Sequence, residues 1–465
     1  MSLQEMPVSM PLVSKLMNRH GRKVNANNLR SHDHFIQQAT EWGYCDKTWT
    51  GSPKILIAAG HGYGNVGDEA QLASCISRWR KVYPSCKITL FSPNPAYTAA
   101  LHKEHCVWAP RVAWFRSNTI GPYDGVSKKY YQFFNLLRFR LIISAYFLKF
   151  NIPILFCWPR EAAILSELLS HDCLHISGGG YLTGATRSRL WENCLLMRVC
   201  QILRIPYFLT GHNIGVLTST ADKRVARWGL SGAKYISLRD RGTSQQVLSS
   251  LGLNGDHIES SCDDALLCDA SFEYDDLSLI DGLPANKYAV VNFHHWGMTK
   301  EEIPAIEARF AEICDYISQR LGLNCLLVSM APGDIEPCQN ISDQMTSPSY
   351  CIPYSPDWRV SRGLISRAEL CFTMKHHPIV FAIGELTPVV SVSLDQYYNL
   401  KNQGVLDNIG YGSNAADRNA FFSSLVFSLI DDAILGSEKY SEACKVYLSR
   451  QRSLELKPYA YIGLS

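Results

Sequence analysis

Short apolar runs alternate along the chain with longer segments in which apolar residues recur every three or four positions. The runs are KILIAAG, CKITLFS, IPILFCW, CLHISGGG, PYFLTGHNIG, KYISLRD and HIESSCDDALL. They end in glycine or polar residues, and their alternation with amphipathic segments predicts β-α units and a mostly parallel sheet. An acidic, turn-rich stretch, CDASFEYDDLSLIDGLPANK over 268–287, breaks the rhythm and marks the expected linker. The pattern then restarts: YAVVNFHHWG as a strand, EEIPAIEARFAEICDYISQRLG as a long helix and NCLLVSMAPGD as the next strand. After an irregular segment come LISRAELCFTMKHH, the helix-forming PIVFAIGE, the strand TPVVSVS and a helical stretch to near the end. The expected fold is α/β, two Rossmann-like domains facing each other across a central cleft. The boundaries are an extension over 1–50, a first domain over 51–270, a second over 285–440 and a helical tail over 441–465. Ligands of open parallel sheets bind beyond the carboxyl ends of the strands.

Composition narrows this picture only a little. The 465 residues have room for two or three domains, at roughly 100–200 residues each. A net charge of +3 gives no sign of a nucleic-acid binder. Sixteen cysteines are scattered without a CxxC pair, as expected of small buried side chains in a reducing compartment. The opening MSLQEMPVSMPLVSKLMNRHGRK has no continuous apolar core, so a cytoplasmic location is expected. The most membrane-like stretch, 133–158, is interrupted by Arg138, Arg140 and Lys149, whereas a spanning helix needs about 20 mostly apolar residues. It is expected as a buried or partly amphipathic helix followed by a strand, with peripheral membrane contact left open.

The candidate chemistry sits at the strand ends. KILIAAGHGYGNVGDEAQLASCIS, residues 54–77, runs from strand through a glycine-rich turn into a helix. It resembles a phosphate cradle, yet Gly60, Gly62 and Gly64 do not give a clean GxGxxG, and the P-loop lysine is missing. Asp68 and Glu69 stand there instead; acids at a helix start would at least offset its dipole, by about 0.3–1 kcal/mol. Further strand ends carry Gly178, Gly179 and Gly180; Gly211, His212, Asn213 and Gly215; and Arg239 with Asp240. The second half adds Lys375, His376 and His377 at a strand-to-helix turn, with Pro378 at a plausible first helical position.

This set resembles the polysaccharide pyruvyl transferase family. The resemblance runs from about residue 54 to 405, on GNVGDEA, SGGGYLTG, GHNIG, LRDRGTSQQVLSSLG with DDALL, and MKHHPIVFAIGELTPVV. The family usually has Arg-x-His in the last motif where this chain has Lys375-His376-His377, and its tyrosine–lysine element is matched loosely by Tyr397, Tyr398 and Lys401. The resemblance implies a GT-B-like arrangement. It also implies transfer of pyruvate from phosphoenolpyruvate onto two hydroxyls of a sugar, glycan or glycolipid, forming a cyclic ketal with no metal or other cofactor demanded.

That chemistry needs an acid to protonate the donor's enol carbon, cations or N–H groups for its carboxylate and phosphate, and an acceptor for the sugar hydroxyl proton. His377, at the family's histidine position, is the expected acid. Arg239 and Lys375 are the expected donor-anion binders, with Gly179, Gly180 and His212 beside them. Asp68 is the expected base; with Glu69 it would meet sugar hydroxyls that Asn65 helps orient. His294 and His295 lie on one strand, so at most one can reach a ligand, and His295 joins the acceptor set. Asp263 matches a family acidic position and is expected as a turn residue. No H-x-E, H-E-x-x-H or CxxC spacing suggests zinc. Two alternatives stay open: a GT-B glycosyltransferase with a nucleotide-sugar donor, and a non-catalytic glycan-binding homologue.

Overall fold

A computed structural model describes residues 52–58, 60–110, 140–150, 159–240, 242–268 and 287–462. The first half forms one sheet from β1 (Lys54–Ala58), β2 (Lys87–Ser92), β3 (His105–Trp108), β4 (Cys173–Ile176), β5 (Gly179–Leu182), β6 (Tyr207–Ile214), β7 (Ile236–Leu238) and β8 (Ile258–Ser260). Its order is β3-β2-β1-β4-β6-β7-β8, with β5 also on β6. The second half repeats the design with β9 (Tyr288–Asn292), β10 (Asn324–Val328), β11 (Ser349–Ile352), β12 (Leu370–Thr373), β13 (Val389–Val392) and β14 (Ala415–Ala416), in the order β11-β10-β9-β12-β13-β14. Every pairing is parallel.

Both faces of each sheet are covered, which is why the strands read as continuous apolar runs rather than alternating ones. In β1, Leu56 joins the core under the helix Arg187–Leu203, whereas Ile55 and Ile57 join the one under Val66–Val82. In β9, Ala289 and Val291 face one core while Tyr288 and Val290 face the other. Period-two alternation thus feeds two apolar layers from each sheet.

The strand orders place the chemistry. Each sheet reverses direction once, between β1 and β4 and between β9 and β12. At such a switch point the connections leave neighbouring strands in opposite directions, and a crevice opens at their carboxyl ends. The glycine-rich turn follows β1 and the triple glycine lies at β4 and β5; the His294–His295 pair follows β9 and Lys375–His377 follows β12.

Several expectations change in detail. The irregular segment after NCLLVSMAPGD contains a helix, Ile335–Gln344, and the edge strand β11. The helix is mostly polar and the strand only four residues long, which hid both. The tail over 441–465 is not a separate unit. Helix Ser437–Leu454 packs Tyr440, Cys444 and Leu448 into the second domain's core. Helix Lys457–Ile462 returns to the first sheet, where Tyr459 meets Trp79, His175 and Phe208. The 1–50 extension, nearly all of the 268–287 linker, the strand IPILFCW and most of 108–132 lie outside the described residues. Within the membrane-like stretch, helical residues 140–149 bury Leu141 and Ala145 in the first core. No described helix is long and apolar enough to cross a membrane.

Fourteen cysteines are described, all free, and only Cys351 is exposed. Thiol titration in denaturant without reductant is expected to find essentially all sixteen thiols. A titre short by one or more pairs would contradict this.

Candidate active site

The two halves meet where their crevices face each other. Val66, the first residue of helix Val66–Val82, donates its N–H to the Met330 carbonyl at 2.9 Å. The Tyr354 hydroxyl donates to the Gly64 carbonyl at 2.6 Å, and the Tyr397 hydroxyl to the Gly180 carbonyl at 2.8 Å. The helix N-terminus carrying Asp68 is thereby held against the N-terminus of helix His376–Gly384.

Gly67 is what lets them approach. A Cβ added there would stand 1.9 Å from His377 Cγ, so no other residue fits with His377 in place. His377 Nε2 then lies 4.0 Å from Asp68 Oδ1. The two neighbouring acids diverge, as consecutive helical residues must. Asp68 points into the cleft, but Glu69 is fully buried behind it. The Glu69 oxygens accept from the Gly62 N–H at 2.8 Å and bond His102 Nε2 at 2.8 Å. Glu69 therefore braces the glycine-rich turn, which removes it from the acceptor-binding set. Asn65 caps the helix, its side-chain carbonyl accepting the Gly67 N–H at 3.1 Å.

A buried network lies behind His377. Asp263 accepts from Arg239 Nη1 at 2.6 Å, from Gln71 Nε2 at 2.9 Å and from the Ala265 N–H at 2.9 Å, and it meets His376 Nε2 at 3.3 Å. It is more than a turn residue: it fixes both Arg239 and His376. Burial alone would raise its carboxyl, but Arg239 and the bond from His376 hold it well below the usual range. Arg239 is 1% exposed, and its Nε and Nη2 have no hydrogen-bond partner among the described residues. Gly180 leaves room beside that orphaned fork. A Cβ there would stand 2.9 Å from Arg239 Nη2, 3.1 Å from the Tyr397 hydroxyl and 3.3 Å from Lys401 Cε. Gly179 instead lies against the Tyr181 ring. His212 is fully buried and bonds the Ile176 carbonyl at 3.2 Å, so it supports the site from beneath.

The charges around this opening shift one another. Burial, with Arg239 adding to it, pushes Lys401 down to about 7. Burial raises Asp68 to about 6 against the pull of Arg189 and Lys401. Burial lowers His377 to about 3, and Lys401, Arg239 and Lys375 oppose its protonation further. At neutral pH His377 is thereby kept neutral. Lys375 is engaged within its own domain: its Nζ lies 2.7 and 2.6 Å from the two Asp334 oxygens. Asp334 also accepts the Met330 and Ala331 N–H groups, so this pair braces the loop that receives Val66. Of the adjacent histidines, His295 turns away to Glu307 at 2.7 Å, which corrects its place among the acceptor contacts. His294 faces the cleft side, its ring 5.4 Å from that of Tyr398.

Arg189 is the functional candidate that sequence reasoning missed. A signal existed: Arg187 and Arg189 open a helix, where the dipole disfavours cations. Such placement asks for an anionic neighbour, and Asp68 is one. Among the described residues no group of His, Cys, Asp and Glu side chains is arranged to hold a metal ion.

The fold is shared with sugar-nucleotide proteins. The chain is similar to UDP-GlcNAc 2-epimerase from Neisseria meningitidis, at TM-score 0.50 and 12% identity over 84% of this chain and 94% of that one. The Methanocaldococcus jannaschii UDP-GlcNAc 2-epimerase aligns at 0.52 and 10% identity, covering 82% and 92%. A UDP-glucosyltransferase from Polygonum tinctorium aligns at 0.52 and 12%, covering 90% and 100%. These likenesses show a GT-B-like fold of two facing parallel-sheet domains. A search of curated protein sequences finds no match. The polysaccharide pyruvyl transferase family model, by contrast, matches residues 65–396. That span starts at the cap of the Asp68 helix and takes in Arg189, Arg239, Asp263 and His377, and by it the chain belongs to the polysaccharide pyruvyl transferase family.

Proposed function

We propose that the cleft moves the pyruvyl group of phosphoenolpyruvate onto two hydroxyls of a sugar or glycan, closing a cyclic ketal and releasing phosphate. The observation that carries this reading is the orphaned, buried Arg239 fork, open toward Lys401 and Gly180 and facing the Asp68–His377 pair. Unpaired buried donors cost about 1–3 kcal/mol each, so they call for an anion. A guanidinium grips a carboxylate or phosphate with two parallel bonds, and an ammonium adds a point charge. Lys401 takes the second place beside Arg239. Lys375, held by both Asp334 oxygens, braces the neighbouring loop instead of gripping the donor.

The proton path follows from the geometry. One acceptor hydroxyl gives its proton to Asp68, and its oxygen bonds to the donor's C2. His377 delivers a proton to C3, which becomes the methyl group. The bond from C2 to the phosphate oxygen then breaks, the second hydroxyl closes the ring, and its proton leaves with phosphate. Asp68 and His377, 4.0 Å apart, can return the first proton to the imidazole. The donor's negative charge would offset Lys401 and Arg239, so its arrival raises the proton affinity of His377. Donor binding and arming of the acid are thereby coupled.

Donor affinity is expected to fall with rising pH between 7 and 9. A phosphoryl group's second pKa is about 6, so the donor's charge is nearly constant there. The lowered Lys401 keeps its charge below about 7 and loses it above. The proton on Lys401 by itself contributes about a tenfold loss of affinity per pH unit. Calorimetry on the wild type and Lys401→Met tests this: the variant should bind weakly and lose the Lys401 share of the pH dependence, giving a shallower profile. Binding of UDP- or GDP-sugars in preference to phosphoenolpyruvate would overturn the proposed function.

A further inference from the structure

We propose that His294 is a further donor-binding residue: its Nε2–H donates a hydrogen bond to the phosphate of phosphoenolpyruvate, beside the ammonium of Lys401. The inference deepens the function proposed above and rests on it. Strand β9 ends at Asn292, and the chain runs on with side chains alternating from face to face. Phe293 packs on Phe310, and His295 turns to Glu307. His294, between them, is 3% exposed. With Met374, Ser393 and Tyr398 it lines a recess beyond the carboxyl ends of β9, β12 and β13.

The loop fixes the tautomer. The Trp296 N–H donates to His294 Nδ1 at 3.0 Å, so that nitrogen presents its lone pair. Burial, with Lys375, His295 and Lys401 adding to it, holds the imidazole well below its usual proton affinity. The ring is therefore neutral, and its single proton sits on Nε2. That N–H is buried and has no hydrogen-bond partner among the described residues. A buried donor without a partner is costly, so it calls for an acceptor.

The surroundings make an anion the fitting acceptor. The His294 ring lies 5.4 Å from the Tyr398 ring, and the Lys401 ammonium stands 5.5 Å from that same ring. Lys401 in turn adjoins the Arg239 fork across Gly180. Guanidinium, ammonium and imidazole N–H thus form one row of donors. A planar carboxylate takes the two parallel bonds of a guanidinium. A tetrahedral phosphate, with three terminal oxygens, needs donors from separate directions, and Lys401 and His294 supply them. The acids that also line the recess are engaged: Asp395 accepts the Tyr398 N–H at 2.9 Å, and Glu302 pairs with Arg418 at 2.6 Å. A neutral N–H also holds the leaving phosphate without opposing protonation of His377, as another cation there would.

Two substitutions separate the two ring nitrogens. An asparagine carbonyl reaches the place of Nδ1 and can keep the Trp296 N–H bonded; a glutamine amide reaches the place of Nε2 and can keep the free N–H. Calorimetry measures phosphoenolpyruvate and inorganic phosphate on the wild type, His294→Asn and His294→Gln, with pyruvate followed by competition and thermal melts beside each. His294→Asn should bind phosphoenolpyruvate and phosphate about 10–100-fold more weakly, the usual worth of a hydrogen bond to a charged group. Pyruvate, which lacks the phosphate, should compete as before. His294→Gln should retain most of the donor affinity, whatever its melting temperature. A histidine that only supports the loop predicts the reverse order, with asparagine near wild type. That reverse order, or an equal loss for pyruvate and phosphate, overturns the proposal. If phosphate binding follows the predicted order but phosphoenolpyruvate is not consumed with a sugar acceptor, the anion seat stands and the proposed reaction falls. If phosphoenolpyruvate is consumed and His294→Asn binds it like wild type, the reaction stands and the role of His294 falls.

Discussion

Replacing His377 with glutamine is expected to lower turnover by about 10²–10⁴-fold, the usual contribution of a positioned acid, with donor affinity largely kept. The imidazole stands at a helix N-terminus, 4.0 Å from Asp68 and beside a cluster of cations. Glutamine keeps much of its volume and polarity but delivers no proton. Its neighbour His376 separates catalysis from support. Its Nε2 meets Asp263, the residue that also holds Arg239. His376→Gln should therefore weaken donor binding and stability more than it slows the chemical step. Single-turnover kinetics with calorimetry distinguishes the two. If His376→Gln abolishes turnover while His377→Gln does not, the acid is His376. If neither matters, the proposed acid role fails altogether.

Gly67→Ala should be nearly as damaging, against the rule for helices. Inside a helix, alanine is ordinarily favoured over glycine by about 0.5–1 kcal/mol. Here the added methyl would stand 1.9 Å from His377 Cγ and 2.4 Å from its Cβ. That contact is with the base of the side chain, which cannot swing aside without leaving its rotamer. Either His377 moves or the two helix ends separate, and Asp68 moves with them. A displacement near 1 Å can cost about 10²-fold in rate. We expect a loss of turnover of at least that order and no gain in melting temperature. A Gly67→Ala variant that is more stable and equally active would mean that the two helix ends are not packed as described.

Much of this was legible in the chain, for physical reasons that differ from element to element. Buried parallel strands need apolar runs, so β1, β6, β9 and β12 announced themselves, and with them the two-domain fold. Glycines and polar residues at those strand ends pointed to the crevices. What hid was relational. Asp68 and Glu69 look equivalent in sequence, and only the helix's rotation sends one into the cleft and the other to His102. His294 and His295 were recognised as alternatives, yet nothing local says that Glu307, on a following helix, draws His295 away. Lys375 reads as an anion binder until Asp334, 41 residues earlier, is found on its ammonium. Asp263 looked like a turn residue because its partners Arg239, Gln71 and His376 are scattered over the chain. Helix Ile335–Gln344 was missed for a different reason: only Pro337, Cys338 and Ile341 of it are buried, a stripe too short to read as a period.

The central claim is that the pyruvyl carbons pass from phosphoenolpyruvate to the sugar while phosphate is released. Incubating the protein with phosphoenolpyruvate labelled with ¹³C at C2 and a methyl hexopyranoside, then recording the ¹³C spectrum, tests it most directly. The account predicts a new quaternary ketal carbon coupled to a methyl group, appearing in step with free phosphate and absent with His377→Gln. An unchanged donor signal, with release of UDP or GDP from a nucleotide sugar in the same assay, would contradict it.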